Sequence, residues 1–157
     1  MNYWLMKSEP ETFSIQDLCN KKNQTEHWDG VRNYQARNMM RDDMKLGDQA
    51  FFYHSNCQEP GIVGIVEIVR EAYPDSSAFD PSDIHYDPKS DSHNPRWFMV
   101  DVKFVRMLFR TITLKELKQK TELADWALVR PGNRLSIMPV SQWQWAFILS
   151  MVEVNLS

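Results

Sequence analysis

The chain has 157 residues, a net charge of −3, 43% apolar residues and 25% charged residues. That length and balance fit one soluble globular domain over 1–157 with a sizeable core. They exclude a sequence-independent polyanion binder, which is basic overall, so any contact with nucleic acid must use a local basic face.

No stretch approaches the roughly 18 apolar residues of a membrane span, and the N-terminal apolar run is too short for a secretion signal. Cys19 and Cys57 have no ligand spacing around them, so a reduced intracellular protein, or else one with a single disulfide, is expected, without bound metal, cofactor or membrane partner.

Tyr3–Met6 reads as a strand that Pro10 stops, leaving Lys7, Ser8 and Glu9 at its end. Ser14 and Asp17 form a capping-box pattern for a short helix through Cys19. Asn20–Glu26 reads as a polar linker. Leu46-Gly47-Asp48 is a turn that delivers the strand Gln49–His54, with Tyr53, His54 and Ser55 at its end. Gly61–Arg70 is the most β-rich run in the chain. Its aliphatics predict a central strand buried on both faces, and Gly64 predicts a bulge or a close backbone approach.

Ala72–Arg96 contains Pro74, Pro81, Pro88 and Pro95 among many Asp and Ser, and a solvated loop is expected. Its His85 and His93 fit neither a zinc nor a calcium pattern. Trp97–Leu108 returns to strand, and its apolar phase changes at Phe104–Val105, which predicts a bulge. Thr113 caps a predicted helix through Lys120, with Glu116 at the capping-box position, and Leu123–Val129 reads as a further helical piece. Ser141 caps the last helix, where Trp143, Phe147 and Met151 recur at i, i+4 and i+8 and predict the core-facing stripe. The sum is a mixed α/β chain of four to five strands and short helices, which fits a small, partly open β-barrel flanked by helices.

Two stretches are hard to explain as scaffold. Trp28–Asn38 (WDGVRNYQARN) packs two aromatics, two arginines and two asparagines into one segment with a single glycine. Gly30 permits positive φ, Asn33 can donate and accept at a base edge, and Arg32 and Arg37 carry planar forks suited to phosphate. These are the parts that hold one unstacked base. The same segment also reads as a surface helix capped by Asn33, with Trp28 in the core. In the second stretch, Pro131-Gly132-Asn133 turns between Arg130 and Arg134, which makes a natural phosphate clamp or else a solvated turn, and Pro139 ends the short strand that follows.

YWLMKSEP (3–10), WDGVRNYQARN (28–38), FYHS (52–55), GIVGIVEIV (61–69), the Pro88–Trp97 run and RPGNRLSIMPVS (130–141) together resemble the EVE domain family of the PUA-like group. The resemblance spans nearly the whole chain. It implies an α+β fold, a PUA-like small mixed β-barrel flanked by short helices. It also implies a non-catalytic module that binds DNA or RNA containing a modified base, with 5-modified cytosine in DNA as the leading ligand. The alternatives are a binder of modified RNA and an amidohydrolase acting on a modified nucleoside, as in some related ASCH domains. Position by position, the resemblance makes Trp28 the aromatic wall of a base pocket and brings Lys7, Ser8 and Asn33 to the base edge. Val31 and Tyr34 would line the pocket, and Tyr53 and Ser55 would close its side. Arg32, Arg37, Arg130 and Arg134, with Asn133, would meet the phosphate backbone.

Overall fold

The computed structural model describes residues 1–153. Six strands form one mixed sheet: β1 (Tyr3–Ser8), β2 (Thr25–Trp28), β3 (Gln49–His54), β4 (Gly61–Pro74), β5 (Phe98–Thr113) and β6 (Ile137–Val140). They are ordered β2-β5-β4-β3-β1-β6. β1 runs parallel to β3, and the other ladders are antiparallel. Short helices α1 (Ile15–Cys19), α2 (Tyr34–Asn38), α3 (Leu114–Lys118) and α4 (Gln142–Glu153) lie between and after the strands. This is the mixed α+β architecture that the sequence pattern implies, with one strand more.

The sheet is buried on both faces because its strands are apolar at both phases. Trp4, Met6, Ala50, Phe52, Val66, Ile68, Val100 and Val102 join one core with Trp28, Val31 and the α1 and α2 side chains Leu18 and Ala36. Leu5, Phe51, Ile65, Leu108 and Met138 join the other, with Trp126, Trp145 and Ile148. Removing each of the Val, Leu, Ile, Phe and Met side chains among them from water stabilises the fold by about 1.5–3 kcal/mol.

Two irregularities fall where the sequence places them. Ile65 pairs with Arg106 and Val66 with Phe104, so Val105 is the extra residue of a bulge in β5. Gly64 sits at another register shift, and a Cβ there would collide with the Ile15 side chain. Its missing side chain lets α1 close onto the sheet.

Several elements depart from expectation. The expected linker Asn20–Glu26 ends in Thr25 and Glu26, which begin edge strand β2 and pair with Lys103 and Val102; on a sheet margin three polar residues in four leave no periodic signal. Pro139 lies inside β6, opposite Trp4, rather than ending it. An edge strand tolerates this because proline lacks only the donor that would face outward. The Glu116 carboxylate does not complete a capping box. It takes both guanidinium branches of Arg110 at 2.7 Å, while Thr113 alone caps α3. In α4 the core face is rotated from the expected stripe: Trp143 is 57% exposed, Phe147 and Met151 are only partly buried against the core, and Trp145, Ile148 and Val152 are the buried residues. The helix is apolar nearly all round, so periodicity alone could not fix its phase. Trp143 stacks at 5.1 Å on Phe147, which is itself partly buried against the second core.

Candidate nucleic-acid interface

At one end of the sheet, the C-terminus of β1 stops beside the C-terminus of β2. Lys7, Ser8 and Glu9 form one wall of a cleft of about 640 Å3, with Thr12 and Phe13 from the turn into α1. Glu26, His27, Trp28, Asp29 and Gly30 form the wall opposite. Asp83, Ile84 and His85 from the long segment between β4 and β5 complete it. A cleft of that size holds a single small organic ring system with room for its attachments.

Trp28 is both wall and core. It is 7% exposed and meets Phe52 edge-to-face at 5.4 Å and Phe13 at 6.4 Å. The Ser8 hydroxyl donates to the Phe13 carbonyl at 2.6 Å, and the Ser8 carbonyl accepts from the Ser55 N–H at 3.0 Å. Burial holds the Lys7 ammonium below its ordinary pKa, and its Nζ lies 5.8 Å from the centroid of the Tyr53 ring. His54 Nε2 accepts the Ile15 N–H at 3.1 Å, which fixes the start of α1 beside the cleft.

The long segment is folded rather than merely solvated. Asp75, Asp80, Asp83, Asp87 and Asp91 each accept the backbone N–H two residues on, a run of Asx turns. The segment is tied to the Trp28 stretch through Asp75, which is fully buried. Asp75 accepts from the Gly30 N–H at 2.8 Å, from Arg32 Nη1 at 3.0 Å and from the Ser77 hydroxyl at 2.6 Å. Burial pushes the Asp75 carboxyl up, but the hydrogen bonds from Ser77, Gly30 and Arg32 outweigh it and hold the group below its ordinary range. Arg32 also donates to the His85 carbonyl at 2.7 and 3.1 Å. Gly30 has φ +79°, and a Cβ on it would come within 2.6 Å of His85 Cε1, so the His85 ring lies directly on the glycine. Ile84, its neighbour, is 92% exposed at the rim.

The structure therefore brings together Lys7, Ser8 and Trp28 and places the other expected residues elsewhere. Val31 is buried in the core. The Asn33 side chain accepts from the Ala36 N–H at 2.9 Å and caps α2. Tyr34 stacks on Trp97 at 4.8 Å, outside the cleft. Tyr53 is buried in the second core. Ser55 touches Ser8 through the backbone but does not line the cleft.

Arg32 is committed to internal partners, whereas the Arg37 guanidinium lies 4.7 Å over the Tyr34 ring and donates to the Arg96 carbonyl. Arg130 donates to the Asp125 carbonyl at 2.6 and 2.9 Å, and Arg134 is exposed. The Lys7 N–H donates to the Ser136 carbonyl at 2.8 Å, so the 130–135 turn leaves the sheet at the cleft end of β1. In that turn Asn133 Oδ1 accepts from the Leu135 N–H, while Nδ2 is buried with no partner among the described residues.

Sequence reasoning missed Phe13, Asp29 and the 83–85 wall. The signal for the wall was the Asp-Ser and Asp-Pro repetition itself, which specifies successive Asx turns instead of random coil. Among the described residues no helix is long and apolar enough to cross a membrane, and both cysteines are free.

A mixed sheet covered on both sides, with an aromatic-walled cleft at one strand end, is an α+β architecture of PUA-like type. The chain belongs to the EVE domain family, whose model matches residues 2–151. It is 52% identical over 173 aligned residues to mouse thymocyte nuclear protein 1, covering 99% of this chain and 76% of that one. A solved protein from Pseudomonas syringae is 50% identical, with a TM-score of 0.91 over 95% of this chain and 98% of its own. The human THYN1 protein, solved in complex with DNA containing 5-methylcytosine, is 50% identical with a TM-score of 0.93 over 98% of each chain.

Proposed function

We propose that the cleft receives one base extruded from DNA, a 5-modified cytosine, and that the protein reads this base without chemistry. The observation that carries the reading is the cleft itself: a base-sized space between Trp28, Phe13 and the β1 terminus, in a chain so similar to a protein that holds 5-methylcytosine DNA. Trp28 and Phe13 supply apolar walls, and Lys7 and the Ser8 backbone supply polar contacts to the base edge. Arg37, Arg130 and Arg134 are the cations that would meet the phosphate backbone, whereas the buried Asn133 amide is not placed to do so. Arg32 serves as a strut for the cleft wall.

The cleft wall also carries Glu9, Glu26, Asp29 and Asp83 against a single lysine. Such a lining repels phosphate but accepts the amino groups of a base, which suits a base pocket flanked by cations. Extruding a base costs a few kcal/mol, and aromatic contact returns about 1–3 kcal/mol. Exposed Ile84 at the rim is suited to fill the gap left in the stack, as apolar wedges do in other DNA-bending proteins. A nucleophilic role for Ser8 finds no support, since its hydroxyl donates to a carbonyl rather than to a base.

The test is titration of the wild-type protein and the Lys7→Ala variant with oligonucleotides at two salt concentrations. Lys7→Ala leaves the core intact, whereas Trp28→Ala removes a core side chain. The set holds unmodified, 5-methyl- and 5-hydroxymethylcytosine in DNA, and 6-methyladenine in RNA. Tighter binding to one modified cytosine, weakened by Lys7→Ala, is expected. Equal weak binding to all four, indifferent to the variant, would overturn the reading, and selective binding to the RNA would reassign the ligand.

A further inference from the structure

A pocket that senses only a 5-methyl group faces a competitor in every stretch of DNA, because thymine carries the same methyl. The two bases differ on the edge an extruded base presents: cytosine has a bare N3 acceptor and a 4-amino donor, thymine an N3–H donor and a 4-carbonyl acceptor. At position 4 they are told apart by an acceptor inside the cleft that is free to meet the amino group.

Four carboxylates line the cleft, and three are engaged. Glu26 is held by Lys21 at 3.1 Å and by His27 at 2.9 Å. Asp83 accepts the His85 N–H at 2.8 Å. Glu9 accepts the Asn56 amide at 3.2 Å. Asp29 has no hydrogen bond among the described residues, and the nearest basic side-chain atom is His27 Nε2, 3.7 Å away. It stands between the indole of Trp28 and the positive-φ turn at Gly30. That turn is locked by the Asp75 hydrogen bond and by the His85 ring packed against it, so the Asp29 backbone is held in place. Burial and the nearby Asp75 carboxylate push the Asp29 carboxyl above its ordinary pKa, the mark of a group short of stabilising partners.

Resting on the base-reading function above, we infer that Asp29 is the specificity residue of the cleft, accepting a hydrogen bond from the 4-amino group of a 5-methylated cytosine and rejecting the 4-carbonyl of thymine. An ionised carboxylate only accepts, so it faces the thymine oxygen with like polarity. An asparagine of the same shape can turn either its oxygen or its nitrogen to the base, and discrimination then collapses.

With unmodified cytosine as the methyl-free reference, the experiment measures affinity for one DNA sequence carrying 5-methylcytosine, thymine or 5-methylpyrimidin-2-one at the same unpaired position. The last probe lacks the 4-amino group and tests the contact without altering the protein. The wild-type protein is expected to prefer 5-methylcytosine over both others by about tenfold or more. In Asp29→Asn, with an unchanged melting temperature, the preference over thymine is expected to fall within about threefold. Equal wild-type affinity for all three would overturn the Asp29 assignment while leaving a methyl-sensing pocket in place. So would an Asp29→Asn protein that keeps the wild-type ratio. Should Asp29→Asn fail to fold, the 5-methylpyrimidin-2-one result in the wild-type protein decides alone. If the wild-type protein prefers 5-methylcytosine over neither unmodified cytosine nor the analogues, the base-reading function fails and this inference with it.

Discussion

Asp48 and Asp75 are both buried, at 2% and 0% exposed, and each collects donors from distant parts of the chain. Asp48 accepts from the Asn2 N–H, the Trp4 indole and the Lys45 N–H, all between 3.0 and 3.1 Å. Those ties join β1 to the turn that starts β3, so they hold scaffold to scaffold. Asp75 instead joins the Gly30 turn and Arg32 to the segment that carries Asp83, Ile84 and His85. The burial is alike, but one carboxylate closes a sheet and the other closes a cleft. Burial and bonding therefore do not separate structural from functional groups; what separates them is which segments they join.

The largest expected effect breaks the second hub. Asp75→Ala leaves the Arg32 guanidinium, itself only 23% exposed, beside an empty site. Losing one partner of such a buried pair costs about 3–5 kcal/mol. Denaturant titration should show that loss, and oligonucleotide binding should disappear under conditions where the variant is still folded. Asp48→Ala should cost about 1–3 kcal/mol through its orphaned donors, yet leave the affinity of the folded protein unchanged. If Asp48→Ala weakens binding as much as Asp75→Ala, the contrast between the hubs fails.

Gly30→Ala sharpens the same contrast from the other side of the hydrogen bond. Its φ of +79° strains any side chain, and the new Cβ meets the His85 ring. A cost of about 1–3 kcal/mol is expected, with weaker binding because His85 must leave the cleft wall. The control is Gly47→Ala, which also has positive φ (+87°) but meets nothing within 4 Å. It should show strain alone and normal binding.

Smaller again is Ile84→Ala. A side chain so exposed adds nothing to the core, so the melting temperature should not move. Duplex affinity should fall by roughly 5- to 20-fold, the worth of one apolar contact, while single-stranded affinity stays constant. Equal losses on both substrates would exclude a role in base extrusion.

These contrasts also show why only part of the site was legible in the sequence. The strands read clearly where β-branched runs meet glycine punctuation, as in Gly61–Arg70, and the Val105 bulge followed from a change of apolar phase. β4 nevertheless continues to Pro74, because its last residues are held by β5 and not by any pattern of their own. Lys7 and Ser8 could be placed at the cleft from the sequence because a strand end is a simple geometric marker, and Trp28 because the composition of its segment is hard to explain as scaffold. Val31, Asn33 and Tyr34 share a striking local composition, but the Gly30 turn redirects the chain, and their side chains go to the core, a helix cap and the Trp97 stack. The Asp83–His85 wall is brought to Trp28 by tertiary contacts across more than fifty residues of sequence, as the Arg32–His85 bond shows, and local pattern does not encode that pairing.

The smallest expected effect belongs to the scaffold side of the cleft and depends on pH. His54 Nε2 accepts the Ile15 N–H, which only a neutral imidazole can do. Burial lowers the His54 pKa from its ordinary value of 6.5, so the folded state prefers the neutral ring more strongly than the unfolded chain does. The hydrogen bond therefore contributes its full stability above pH 6.5. That stability is lost as pH falls below 6.5, where the unfolded chain takes up the proton first, and the loss is complete below the depressed folded value. A loss of about 1 kcal/mol, the worth of one such bond, is expected between pH 8 and pH 5. Denaturant midpoints of the wild-type protein and His54→Gln across that range measure it. The wild-type curve should decline more than the variant's through this window, because the variant has no imidazole to titrate. Parallel curves would show that the start of α1, and with it the Phe13 wall, is held by packing against Gly64 and not by His54.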